Sequence, residues 1–115
     1  MDPLALVGPM PVGDAAGMRA HAAYLRGQAE ILVAHCDTVA RRVDAMSFAG
    51  PAASRFRATM AERRERLMEQ AHRLMELAAY LQTAAGRVES AQAAYRSRLR
   101  AAEAAAAELA RKAGL

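Results

Sequence analysis

Apolar residues in the first half of this chain recur at alternating steps of four and three: Met18, Ala22, Leu25, Ala29, Leu32, Cys36, Val39, Val43 and Met46. A mean step of about 3.5 residues is the spacing of a seam along which one helix lies against another. A second series runs Met60, Arg64, Leu67, Ala71, Leu74, Ala78, Leu81, Ala85, Val88, Gln92, Tyr95, Leu99, Ala102, Ala106 and Leu109. Only Arg64 and Gln92 interrupt its apolar character. No stretch alternates β-branched or aromatic residues at period two, so no strand is predicted. The pattern predicts an all-α fold built on two long helices.

Turn and cap residues set the limits of these helices. Residues 1–13, MDPLALVGPMPVG, are dense in Pro and Gly and are predicted to be extended. Asp14 suits an N-cap, because its carboxylate can accept from the free amides of a first turn. Helix 1 is therefore expected over about 14–46. Gly50 and Pro51 form the one strong break that follows. Glycine can take the backbone angles of a sharp reversal, and proline fits the first turn of a helix, where its missing N–H costs nothing. The turn is predicted over 47–50 and helix 2 from 51.

Two long helices joined by a short break fold back antiparallel. Facing residues then have numbers totalling about 99, which sets large residues against large ones. Val43 lies near Phe56, Val39 near Met60, Leu32 near Leu67, Leu25 near Leu74, and Met18 near Leu81. Leu25, Leu32, Val39, Val43, Phe56, Met60, Leu67, Leu74 and Leu81 are the expected hairpin seam, within a hairpin spanning 14–85. Helix 1 has nothing left to cover beyond that point. Residues 86–115 are accordingly expected to be an overhanging helical or mobile extension.

The apolar surface is wider than one seam. Ile31 and Val33 flank the stripe of the first helix, and Met68, Met75 and Leu77 flank that of the second. Val88, Tyr95 and Leu99 continue the stripe along the extension. These eight residues are the expected partner-binding set. A second hairpin that buried them would complete a four-helix bundle. Burying each Met, Leu or Ile would gain roughly 1.5–3 kcal/mol.

Phe48-Ala49-Gly50, followed by PAASRF, resembles the Trp-x-Gly turn of the WXG family, the small helical-hairpin proteins of type VII secretion systems. The resemblance covers residues 14 to about 95 and includes Ala52, Ala53 and Phe56 after the turn. It implies a homodimeric or heterodimeric four-helix bundle, exported folded and without a Sec signal. Partners would be another WXG-like protein or a larger effector, with a secretion ATPase or chaperone as further contacts. Phe48, Gly50 and Pro51 would form the turn motif. Phe48 stands where the family has Trp. The family's export tag is a tyrosine with an acid four positions on, whereas Tyr80 is followed there by Ala84 and Tyr95 by Leu99. That leaves two alternatives, a partner that carries the tag or no export. The expected location is cytoplasmic before export, then secreted by a signal-peptide-independent route.

Composition narrows the function classes. Hydrophobic residues make up 54% of the chain but aromatics only 4%, and much of the remainder is alanine, which suits close-packed helices rather than a thick core. The net charge is +4, and Lys112 is the only lysine. A basic helical protein associated with nucleic acid is the alternative reading, and an amphipathic membrane-surface protein is a third. Against the former, acids interleave with the arginines, as at Glu62–Arg66 and Glu69–Arg73, which are spaced for i,i+4 pairing. Cys36 is the only cysteine and falls on the seam as a small hydrophobe. Its neighbour His35 points about 100° away around the helix, so the two make neither a metal site nor a nucleophile–base pair. No cofactor, small-molecule substrate or catalytic constellation is predicted, and the chain is expected not to be an enzyme.

Overall fold

The computed structural model describes residues 2–114. Helix α1 spans Pro3–Val7, α2 Ala15–Asp44 and α3 Pro51–Lys112, and no strand occurs among the described residues. Two compact units are present. One is Arg19–Gln82, and the other joins the segment up to Met18 with α3 from Thr83 onward.

Local chemistry fixes the ends of each helix. The Gly17 amide donates to Asp14 Oδ1 at 3.0 Å and the Met18 amide to the Asp14 carbonyl at 3.0 Å, so Asp14 caps α2. Helix α2 stops at Asp44, two residues earlier than expected, and the Met46 amide turns back to the Val43 carbonyl at 3.2 Å. Gly50 has φ +108°, a conformation that L side chains avoid. Its carbonyl accepts from the Ser54 amide, and Pro51 is the first residue of α3. At the start of the chain, Pro3 opens one turn of helix where extended chain is expected. The Ala5 amide reaches the Asp2 carbonyl at 3.1 Å, and Gly8 ends the turn with φ +78°. Proline obstructs a helix interior but not its first position, and that is the reason for the difference.

The core of the Arg19–Gln82 unit is a ladder of small residues. On α2 the buried positions Ala22, Ala29, Cys36 and Val43 are seven apart, and on α3 Ala71 and Ala78 repeat the same step. Ala22, Leu25 and Ala78 form one buried cluster, with Leu74 and Leu81 packed against it. Asp37 meets Arg64 at 3.2 Å. Both observations place facing residues at numbers totalling about 100, so Ala29 falls opposite Ala71. Alanine at successive layers lets helix axes approach to about 8 Å, the low end of the usual range. The larger seam residues stand beside this ladder. Leu32, Val39, Met60, Leu67, Leu74 and Leu81 are only half-buried, while Leu25 and Val43 are buried.

Phe56 is not in the seam. It is exposed and lies against Phe48, with ring centroids 5.9 Å apart. Ala53 is the buried residue of that turn, and a register of about 100 pairs Val43 with Arg57, which lines the same cleft. A one-residue shift in register rotates a helix by about 100°, enough to move Phe56 off the contact line.

The ladder leaves no room for larger side chains. Ala78→Leu is expected to cost about 1–3 kcal/mol and to lower Tm by roughly 5–15 °C. Ala79→Leu, at an exposed position one residue away, is expected to leave Tm nearly unchanged. Thermal unfolding followed by circular dichroism makes the comparison.

Candidate functional site

Two features of the Arg19–Gln82 unit could receive a partner. The first is the row of half-covered large residues. Antiparallel helices related by a two-fold normal to their common plane carry equivalent positions on the same face. Leu32 and Leu67, and Val39 and Met60, therefore stand side by side along one face of the ladder.

The second is a cleft of about 350 Å³ between α2 and α3 near the turn. It arises where the alanine layers give out. Cys36 and Val43 face Arg64 and Arg57, and an arginine cannot sit in a layer sized for alanine. Arg64 swings out to Asp37. Arg57 donates to the carbonyls of Met46 at 3.2 Å and Phe48 at 3.0 Å, and its guanidinium lies 4.9 Å from the centre of the Phe48 ring. These contacts tie the turn together through charge-assisted hydrogen bonds and a cation–π contact. The space the arginines vacate is walled by Val39, Val43, Met60 and Leu67, with Arg57, Arg63 and Arg64 among its other lining residues. Phe48, Gly50 and Pro51 all lie at the turn, where Phe48 is 40% exposed.

The expected partner-binding residues divide into two groups. In the Arg19–Gln82 unit Ile31, Met75 and Leu77 are exposed, Ile31 at 63%, while Val33 and Met68 are half-buried. Along the charged face of α3, Glu62 and Arg66 approach to 4.0 Å and His72 pairs with Glu76 at 2.7 Å. Residues 64–76 there form a charged shelf.

Residues 86–115 are not a bare overhang. Helix α3 continues through them to Lys112, and the chain's own first residues cover part of the stripe. Gln92 Nε2 donates to the carbonyls of Pro11 at 3.3 Å and Gly13 at 3.0 Å. Gly13 comes so close to Val88 that a Cβ at that position would lie 2.8 Å from Val88 Cγ1. Tyr95 is 5% exposed. Tyr95 belongs to the same compact unit as the segment up to Met18. Val88 and Leu99 are half-buried. The expectation that Tyr95 awaits a partner is corrected, since Tyr95 is buried within this chain, while Val88 keeps part of its surface uncovered although Gly13 meets it. The available signal was Gln92. A long amide within an apolar stripe satisfies backbone carbonyls that arrive from elsewhere.

Among the described residues no group of three His, Cys, Asp or Glu converges on a point, and no helix is long and apolar enough to cross a membrane. Comparison with protein-family models, with curated proteins and with solved structures finds no match to this chain.

Gly13→Val is expected to lift the N-terminal segment from α3. Nitration of Tyr95, mapped by peptide mass, should then rise toward that of Tyr80, which is 67% exposed in the parent chain. Unchanged protection of Tyr95 would show that the contact between Gly13 and Val88 does not hold the segment in place.

Proposed function

We propose that this chain is a non-enzymatic interaction module, one hairpin of a four-helix bundle. In the reading that its turn residues suggest, it is a WXG-like protein of a type VII secretion system, acting as a secreted substrate or as the escort of a larger effector. The observation that carries the proposal is the half-burial of Leu32, Val39, Met60, Leu67, Leu74 and Leu81 beside a ladder of alanines. A hairpin whose closest contact is made by small residues leaves part of each flanking large side chain uncovered. Full burial of such a side chain is worth roughly 1.5–3 kcal/mol, so covering the part of each of the six that is still exposed offers about 2–4 kcal/mol in all to a second helical pair. Exposed Leu77, Met75 and Ile31 widen the surface on offer.

The turn supports the family reading. Phe48 stands two residues before Gly50, packs on Phe56 and is held by Arg57. No tyrosine here has an acid four positions on. In this reading the export tag belongs to the partner, and the pair leaves the cytoplasm together. The charged shelf along residues 64–76 is the surface that a secretion ATPase or chaperone would meet.

Native mass spectrometry of the chain purified gently from its source cells tests the proposal. The expected result is a 1:1 complex with a second small helical protein or with one copy of itself. Leu77→Glu, at an exposed position, is expected to weaken that complex at least about ten-fold while leaving the circular dichroism spectrum unchanged. Recovery of the chain only as a 12.3 kDa monomer would overturn the reading.

A further inference from the structure

The cleft near the turn carries information about which partner fits. It is bounded by residues 35–44 of α2 and 57–67 of α3, about 15 Å along each helix, or two to three turns. Its apolar wall of Val39, Val43, Met60 and Leu67 suits a large apolar side chain. Its charged lining is Arg57, Arg63 and Arg64 against one acid, Asp44, with His35 at the edge of α2.

Charge is distributed unevenly along the hairpin. Residues 37–67 hold seven arginines and four acids, a surplus of three. The rest of the Arg19–Gln82 unit holds three arginines and three acids. Two of the four acids near the turn are already engaged, Asp37 with Arg64 and Glu62 with Arg66. Arg64 and Asp37 are both about half exposed, so the remaining guanidinium donors of Arg64 stay open to solvent.

A second copy of this chain is a poor occupant on these grounds. Set turn to turn, it brings arginines against arginines. Set turn to open end, it brings a neutral surface. Neither arrangement supplies the further negative charge that would balance three arginines against Asp44 alone in the lining, and like charges at an interface suppress association.

We infer that the cleft receives an acidic amphipathic helix from a partner of different sequence, with a large apolar side chain between α2 and α3 and carboxylates against Arg57, Arg63 and Arg64. This rests on the interaction-module reading above and gives its partner a chemistry. The mode is that of a helix laid in a groove, where apolar anchors supply affinity and charge supplies selection.

Cys36, the single thiol, lines the cleft and is 3% exposed, so it reports occupancy. The probe is a synthetic helix of about 20 residues with Leu at heptad a and d, Glu and Gln elsewhere, and a net charge of about −5. Its twin carries Lys for Glu. In low salt the acidic peptide is expected to slow alkylation of Cys36 by N-ethylmaleimide about five-fold or more, and added salt should shrink the effect. The basic twin should not slow it, and Arg63→Glu should remove most of the protection. Anisotropy of the labelled peptides gives the same comparison should alkylation prove too slow to follow. The inference is overturned if both peptides, or neither, protect and bind. It is equally overturned if raising the chain's own concentration protects Cys36 without peptide, which makes a second copy the occupant, or if phosphatidylglycerol vesicles protect and the peptide does not. Peptide binding can fail while the 1:1 complex from cells persists, and the reverse, so the two readings fail separately.

Discussion

The contact on which the hairpin depends is the meeting of small side chains at seven-residue intervals on α2 and α3. Ala22, Ala29, Ala71 and Ala78 are hidden almost completely, and each contributes only a methyl group. Such a contact is worth little per residue through the area it removes from water. Its value lies in proximity, since closely approaching backbones bring the flanking leucines together and fix the register. The alanines therefore determine where every larger residue stands, and with it how much apolar surface remains uncovered.

The two polar interruptions of the stripe mark the two places where the structure departs from a simple seam. Arg64 cannot enter an alanine layer. It turns out to Asp37 and, with Arg57 one heptad earlier, leaves the cleft near the turn. Gln92 lies where the N-terminal segment meets α3, and its amide holds the carbonyls of Pro11 and Gly13. A residue that breaks a periodic pattern at no evident gain is where a neighbour of another kind should be sought.

Much of the architecture was legible in the chain. The step of 3.5 residues, Asp14, and the pair Gly50-Pro51 lead to two long helices doubling back near residue 48, because periodicity, capping and turn chemistry agree there. Periodicity names a stripe but does not say which of its two rows touches the facing helix. The small row is buried deepest, and the large row, Leu25 apart, is only partly covered. The same uncertainty of about one residue in register put Phe56 in the seam and missed Arg57 opposite Val43. Helix α1 and the docking of residues 11–13 lay beyond periodicity altogether. They depend on a proline tolerated at a first helical turn and on the absence of a Cβ at Gly13, next to Val88.

The register of the alanine ladder can be tested by disulfide formation, which requires Cβ atoms within about 3.5–4.5 Å. In a Cys36→Ser background, Ala29→Cys with Ala71→Cys is expected to close a bond within a single chain under mild oxidation in dilute solution. Ala29→Cys with Ala78→Cys, one heptad out of step, is expected not to. Equal closure of both pairs, or disulfides formed only between separate chains, would contradict an antiparallel hairpin held by its small residues.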